Sequence, residues 1–88
     1  MATVIIPALL RKLTAGRERV TVSGKNLREV IANLDRQFPG LAEQLIQDDD
    51  LKPSVAVSID GEVGAGGLLE PVRAESEIHF LPAIGGGT

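Results

Sequence analysis

The sequence predicts a two-layer α+β domain, in which one main helix packs on one sheet of about four to five strands. Two patterns lead to this prediction. Several short segments alternate apolar with polar residues, which is typical of half-buried strands. One longer segment instead repeats apolar residues at helical spacing. The chain has 88 residues, and this length supports a single compact core.

The first two strands are expected to form a hairpin with a long loop. Residues 3–7 are mostly β-branched and end at a proline, which cannot donate to a sheet ladder. Val4 and Ile6 then face the core, whereas Thr3 and Ile5 face outward. Residues 8–15 form a connection that ends at Gly16. Residues 19–23 alternate as the second strand.

The main helix follows directly. Asn26, with Glu29 three residues later, predicts a capping box at a helix N-terminus. Its apolar stripe is Leu27, Val30, Ile31, Leu34 and Phe38. Pro39-Gly40 ends the helix, because proline lacks a backbone donor and disfavours helical geometry at the residue before it.

A further short helical stretch is indicated by Leu41, Leu45 and Ile46, and it ends at three aspartates, residues 48–50. Adjacent carboxylates can suggest a metal site. No glycine-containing calcium loop surrounds these three, so a solvated turn is the favoured interpretation. We therefore predict no metal site.

A second hairpin is predicted after the aspartates. Residues 55–59 alternate, and Asp60-Gly61 is a tight-turn dipeptide that leads back through residues 62–63. Gly64, Gly66 and Gly67 come next. The lysine and hydroxyl residue of a phosphate-binding loop are missing here, which favours simple backbone flexibility.

The last strand covers residues 77–81, with Ile78 and Phe80 facing inward and His79 and Leu81 facing outward. It runs into a glycine-rich end, residues 85–87. Glycine has no Cβ, so such a strip fits a channel too narrow for other residues and can present a backbone carboxylate there. The alternative is that these glycines are merely frayed.

Composition excludes several function classes. The chain contains no cysteine, which removes disulfides, thiolate metal sites and a cysteine nucleophile. The net charge is −3, and the basic residues are interpreted as spread along the chain, which disfavours nucleic acid as a partner. No segment approaches the roughly 18 apolar residues of a membrane span. A cytoplasmic protein that binds no membrane is the expectation.

The order of elements and the final segment, Phe80-Leu81-Pro82-Ala83-Ile84-Gly85-Gly86-Gly87, resemble the ubiquitin-like sulfur carriers. This family includes the small subunit of molybdopterin synthase, the thiazole-synthesis carrier and carriers for cysteine synthesis. The resemblance spans essentially the whole chain, although its specific part is the segment just quoted. It implies a β-grasp (ubiquitin-like) domain with a mixed sheet over residues 1–82 and a flexible tail over residues 83–88.

The resemblance also implies a chemical role for the tail. In this family an adenylating enzyme of the ubiquitin-activating type uses ATP to couple the last glycine, here Gly87, to AMP. Sulfur then displaces AMP to leave a thiocarboxylate, which serves cysteine or molybdopterin-type biosynthesis through a sulfur-accepting synthase. Gly85 and Gly86 thread the tail into the partner. Thr88 departs from the family pattern, so a metal-dependent peptidase is expected to remove it.

On this interpretation the chain is a protein co-substrate that holds no cofactor and has no catalytic residue of its own. Leu81 and His79 are the side chains expected to dock partners. Two alternatives stay open: a ubiquitin-like modifier joined to target lysines through Gly87, and a plain binding module with an inert tail. An independent enzyme is the weakest option, because the only histidine, His79, is placed on a sheet surface.

Overall fold

The computed structural model describes residues 1–52, 55–63 and 67–82. The α-helices and strands in this part of the chain are β1 (Ala2–Ile5), β2 (Arg19–Val22), α1 (Leu27–Gln37), α2 (Leu41–Leu45), β3 (Ile46–Gln47), β4 (Asp50–Leu51), β5 (Val55–Ile59), β6 (Glu62–Val63) and β7 (Glu77–Pro82). Five strands form one sheet in the order β2-β1-β7-β5-β6. β1 and β7 are parallel and the other pairs are antiparallel, so the predicted mixed sheet is confirmed.

The first hairpin agrees with its prediction. β1 and β2 pair antiparallel, with Val4 opposite Val20. Val4 and Ile6 are buried, while Thr3 and Ile5 are partly exposed on the other face of the sheet. The connection contains a 3-10 helix, Ala8–Thr14, which ends at a left-handed Ala15.

Helix α1 begins and ends close to the predicted positions. Asn26 Oδ1 accepts a hydrogen bond of 2.9 Å from Glu29 N–H. In a capping box the Glu29 side chain would also accept from Asn26 N–H. Here Glu29 Oε1 accepts from Lys25 N–H at 3.0 Å instead. Lys25 is fixed for this role by its carbonyl, which accepts from Val72 N–H. Phe38 follows the helix as its C-cap and is half-buried.

The segment after α2 shows one departure from the expectation. α2 ends at Leu45, and Ile46 begins strand β3 instead of continuing the helix. Asp48 and Asp49 form the turn of a small β3–β4 hairpin, with φ of 54° and 63°, and Asp50 belongs to β4. Two-residue strands are too short for alternation to reveal them. Aspartate also tolerates left-handed backbone better than most residues, which permits this turn.

The second hairpin is confirmed. Asp60 and Gly61 both have positive φ, 54° and 86°, as a two-residue hairpin turn requires. This turn sets Ser58 opposite Val63. Gly64 and Gly66 lie outside the described residues, and Gly67 begins a second 3-10 helix, Gly67–Leu69.

The core lies between the sheet and α1. It is built mainly from aliphatic side chains, as the scarcity of aromatic residues requires, with Phe80 as its one fully buried ring among the described residues. β7 crosses the middle of the sheet, with β1 on one side and β5 on the other. The strand that leads to the glycine-rich end is therefore the central strand of the sheet, with hydrogen-bonded neighbours on both sides.

Candidate functional site

β7 positions the start of the predicted tail. It pairs with β1 over Glu77–His79 and with β5 from Ile78 to Pro82, where Pro82 lies opposite Val55. Backbone pairing on β5 therefore continues to the last described residue. The tail residues Ala83, Ile84, Gly85, Gly86, Gly87 and Thr88 lie outside the described part of the chain. Their predicted roles in threading, adenylation and processing stay predictions.

Leu81 and His79 lie on the outer face of the sheet, which is the face turned away from α1, as the alternation predicted. Their neighbours Ile78 and Phe80 are buried on the inner face. Leu81 is 44% exposed. His79 Nε2 lies 2.9 Å from Glu77 Oε1, so the ring leans along the strand toward its beginning. This orientation leaves the leucine as the outward side chain nearest to the tail.

Apolar neighbours extend this exposed surface. Ala56 lies opposite Leu81, and Ile5 lies opposite His79. On the other side of His79 comes Ser58, and Val63 lies opposite Ser58. Val63 is 71% exposed, more than Leu81. We call Ile5, Ala56, Val63, His79 and Leu81 the outer-face patch. Clustering of exposed apolar side chains around a strand end is a feature of surfaces that bind other proteins.

Val63 was not among the predicted docking residues. The sequence did carry a signal for it, because a two-residue Asp60-Gly61 turn fixes the register of the hairpin. That register puts Val63 opposite Ser58, on the same face as His79. The signal was missed because the return strand has only two residues.

The beginning of β7 is tied to the second hairpin. Asp60 Oδ1 accepts from Glu77 N–H, and Asp60 Oδ2 accepts from the Ser76 hydroxyl, each at 2.9 Å. The Ser76 Oγ in turn accepts from Arg73 N–H at 2.9 Å. The Glu77 N–H and the Ser76 hydroxyl stabilise the ionised carboxylate, with a smaller contribution from the Arg73 charge. They lower the pKa of Asp60 below its ordinary value.

No group of metal ligands was found among the described residues. Three or more His, Asp or Glu side chains do not converge anywhere within residues 1–52, 55–63 and 67–82. The aspartates 48–50 are exposed around a hairpin turn, which agrees with their interpretation as solvated. Over the same ranges, none of the helices is both long and apolar enough to cross a membrane.

Comparison with known proteins identifies relatives along nearly the whole chain. The ThiS family model matches residues 4–87. The sulfur carrier protein CysO of Mycobacterium tuberculosis is 32% identical over 90 residues, which cover 97% of each chain. Both matches cover far more of the chain than the glycine-rich end, so they do not depend on that short motif.

Solved structures give the same result. A chain of the Amycolatopsis orientalis BexX/CysO complex superposes with a TM-score of 0.92 at 29% identity, covering 99% of this chain and 100% of that one. The small archaeal modifier protein 1 of Methanosarcina acetivorans gives a TM-score of 0.81 at 26% identity, covering 98% and 95%. The fold is therefore the predicted β-grasp, and the chain belongs to the ThiS family of ubiquitin-like sulfur carriers.

Proposed function

We propose that this chain carries sulfur for cysteine biosynthesis as a thiocarboxylate on Gly87. The single observation that supports this most is the family match, which extends through Gly87 and includes 32% identity to a sulfur carrier named CysO. The fold adds a physical reason. β7 is paired on β5 up to Pro82, so the tail continues from a rigid strand in the middle of the sheet.

The proposed chemistry begins with release of the Gly87 carboxylate. Hydrolysis of the Gly87–Thr88 peptide bond, by a metal-dependent peptidase, frees that carboxylate. One carboxylate oxygen then attacks the α-phosphorus of ATP in the adenylating enzyme, and pyrophosphate leaves. The product is a mixed anhydride of Gly87 and AMP.

Hydrosulfide next attacks the carbonyl carbon of the anhydride. The new C–S bond forms, the C–O bond to AMP breaks, and AMP leaves with its oxygen. The resulting thiocarboxylate sulfur is nucleophilic and can attack an electrophile held by a sulfur-accepting synthase. None of these steps needs an oxidant or a reductant.

The length of the tail suits such delivery. Five residues, Ala83 to Gly87, follow Pro82. Fully extended at about 3.3 to 3.6 Å per residue, they reach roughly 17 Å. That distance allows the terminus to enter the active site of a partner while the folded domain stays outside. We propose that Gly85 and Gly86 line the narrowest part of this path, where a Cβ has no room.

We further propose that the outer-face patch docks the adenylating enzyme. The patch lies on the outer face of the sheet near the end of β7, where the tail begins. Leu81 is the member of the patch closest in sequence to the tail. The acceptor synthase is a separate partner in this scheme. The structural relative from Amycolatopsis was solved in complex with BexX, which supports the idea that such carriers form stable complexes with other proteins.

Reconstitution tests the proposal. Two versions of the chain, ending at Gly87 and at Thr88, are incubated with the adenylating enzyme from the same cells, ATP, Mg²⁺ and sulfide. We expect only the version ending at Gly87 to gain the mass of one oxygen-to-sulfur replacement. No gain in either version, or an equal gain in both, contradicts a thiocarboxylate on Gly87.

A second experiment, in cells, separates the carrier from a protein modifier. This distinction matters because the archaeal relative is named a modifier protein. A blot of cell extract against a tagged chain shows a ladder of conjugates if Gly87 becomes joined to lysines. We expect no ladder, and a single species that is retarded in a mercury-containing gel.

A further inference from the structure

Strand β2 is an edge of the main sheet, and its outer side has unused backbone groups. Ile6 N–H donates to Glu18 O at 2.7 Å, which fixes the alternation of the antiparallel pair. Val20 and Val22 therefore direct their N–H and C=O toward β1. Arg19 and Thr21 direct theirs away from β1, toward a side of β2 where none of the described strands lies.

Both ends of this open edge are closed by the protein itself. Arg17 N–H donates to Thr14 O at 3.1 Å, and the Thr14 hydroxyl lies 2.9 Å from Arg17 O. At the other end, Asn33 Nδ2 donates to Ser23 O at 2.8 Å. Between these ends, the N–H and C=O of Arg19 and Thr21 have no partner in the described part of the chain. The edge is thus long enough for one short added strand.

Strand β2 and the residues before and after it in the sequence are basic, although the whole chain is acidic. Residues 1–28 contain six of the nine Lys and Arg residues but only one of the twelve Asp and Glu residues, Glu18. The expectation that the basic residues are spread along the chain and not clustered is therefore wrong. Glu18 is engaged by Arg11 at 3.7 Å. Arg17 and Arg19 are exposed and form no ion pair with any described residue.

We propose that the free edge of β2 binds an extended acidic segment of a partner protein, which adds to the sheet as a sixth strand. Such an addition satisfies the outward backbone groups of Arg19 and Thr21. The Arg19 side chain lies on the outer face, in the row that contains Ile5. An acidic side chain of the incoming strand meets Arg19 there, and the exposed Arg17, two residues before it in the sequence, adds to the positive charge.

A second copy of this chain suits the edge poorly. An antiparallel β2–β2 pair brings two basic hairpins together, and like charges on neighbouring strands are destabilising. Charged side chains on an edge strand also discourage uncontrolled pairing. The same two arginines therefore repel an identical edge and attract an acidic one.

The site is separate from the route of the tail. β1 lies between β2 and β7, so the edge is about 10 Å from the strand that carries Leu81. A partner segment on β2 leaves β7 and the outer-face patch accessible. This proposal does not depend on sulfur chemistry, and its failure leaves the proposed function untouched.

A peptide titration followed by NMR of the ¹⁵N-labelled full chain tests the proposal. The probe is an acetylated and amidated octapeptide that alternates glutamate with valine. We expect saturable shifts centred on the amides of Arg19 and Thr21, with affinity that falls as salt rises. A peptide with lysine in place of glutamate should give no saturable shift. No shift with the acidic peptide, or shifts centred elsewhere, overturns the proposal.

Backbone pairing is tested with matched variants of peptide and protein. Methylation of alternate peptide nitrogens removes the donors without changing charge, and should abolish binding. Thr21→Pro removes an outward N–H while keeping the bonds to β1, and should do the same. Arg19→Glu should weaken binding about fivefold or more. Lys52 precedes β5, which is the third strand from β2 in the sheet, so Lys52→Glu should change binding less than twofold.

Three results contradict the inference. Equal binding of the methylated peptide shows attraction by charge alone. Equal loss of affinity with Lys52→Glu shows a general charge effect. Self-association of the chain through β2, detected as concentration-dependent shifts at Arg19 and Thr21 without peptide, shows that a second copy occupies the edge. Thr21→Pro is interpreted only if its remaining spectrum matches the parent, and the methylated peptide gives the answer in either case.

Discussion

The two ends of β7 are held in different ways. At its beginning, Glu77 N–H donates to the Asp60 carboxylate, and Asp60 N–H donates back to Glu77 O, each at 2.9 Å. The buried Ser76 hydroxyl donates a second hydrogen bond to the same carboxylate. At its other end, Pro82 pairs with Val55 on one side only, and Leu81 is partly exposed.

This difference suits a strand that must hold a domain together while presenting a tail. Hydrogen bonds from side chains fix the end remote from the tail, so a force on the tail does not act on them first. The tail end is held by strand pairing and by the burial of Phe80. We therefore expect substitutions at the beginning of β7 to act on stability, and substitutions at its end to act on partner recognition.

The largest effect on stability is expected for Ser76→Ala. This residue is 2% exposed, and its hydroxyl both donates to Asp60 and accepts from Arg73 N–H. Its loss leaves polar groups without partners and should lower the free energy of unfolding by about 1 to 3 kcal/mol. Urea denaturation measures the change. Ser23→Ala, an exposed control, should stay within about 0.5 kcal/mol.

A smaller, pH-dependent effect is expected for Asp60→Asn. Hydrogen bonds to the ionised form lower the pKa of Asp60 below its ordinary value of 3.8. The native carboxylate thus stabilises the fold above that value, and this stabilisation disappears as the pH falls through the lowered pKa. The variant should be less stable than the parent at pH 7. The difference should shrink toward zero in acid below pH 3.8.

Thermal unfolding of both proteins from neutral pH into acid measures this difference. Glu75→Gln is the matched control, because Glu75 is exposed in the same loop and no hydrogen bond involves its side chain in the described part of the chain. Its difference from the parent should stay small over the whole range. A difference for Asp60→Asn that is independent of pH contradicts the anchoring role of the carboxylate.

The smallest effect on stability, but a large one on function, is expected for Leu81→Asp. Leu81 is exposed on the outer face, so unfolding should change by no more than about 0.5 kcal/mol. A carboxylate within the apolar patch should slow adenylation of the tail. Leu69→Asp is the control, since Leu69 is 75% exposed on the 3-10 helix that packs near α1, away from the outer face.

Pyrophosphate release by the adenylating enzyme measures this reaction for both variants. We expect slow release with Leu81→Asp and parental release with Leu69→Asp. Equal release with both variants removes Leu81 from the docking surface. Unfolding of Leu81→Asp shows instead that the two ends of β7 are equally important for stability.

Local patterns predicted much of this fold. Alternation placed Phe80 inward and Leu81 outward, and the Asn26 cap fixed the start of α1. The Asp60–Ser76 bond was beyond such reasoning, because it joins residues sixteen positions apart that only the finished sheet brings together. The β3–β4 hairpin escaped because each of its strands has two residues.

The candidate site was predicted in the same uneven way. Its two docking residues, His79 and Leu81, follow from the period of one strand. Val63 needed the register between two strands, and the free edge at Arg19 needed the order of the whole sheet. Sequence periodicity reports which face a residue occupies, whereas neighbours across strands depend on topology.

The central claim is that sulfur travels on the backbone terminus of Gly87. The chain has no cysteine, so a thiol-selective alkylating reagent can label only sulfur that has been added. The most direct measurement is the mass of the C-terminal peptide from protein isolated from its own cells and alkylated at once. We predict a peptide that ends at Gly87 and carries one alkyl group on sulfur. A mature peptide that retains Thr88, or one that ends at Gly87 and is never alkylated, contradicts the claim.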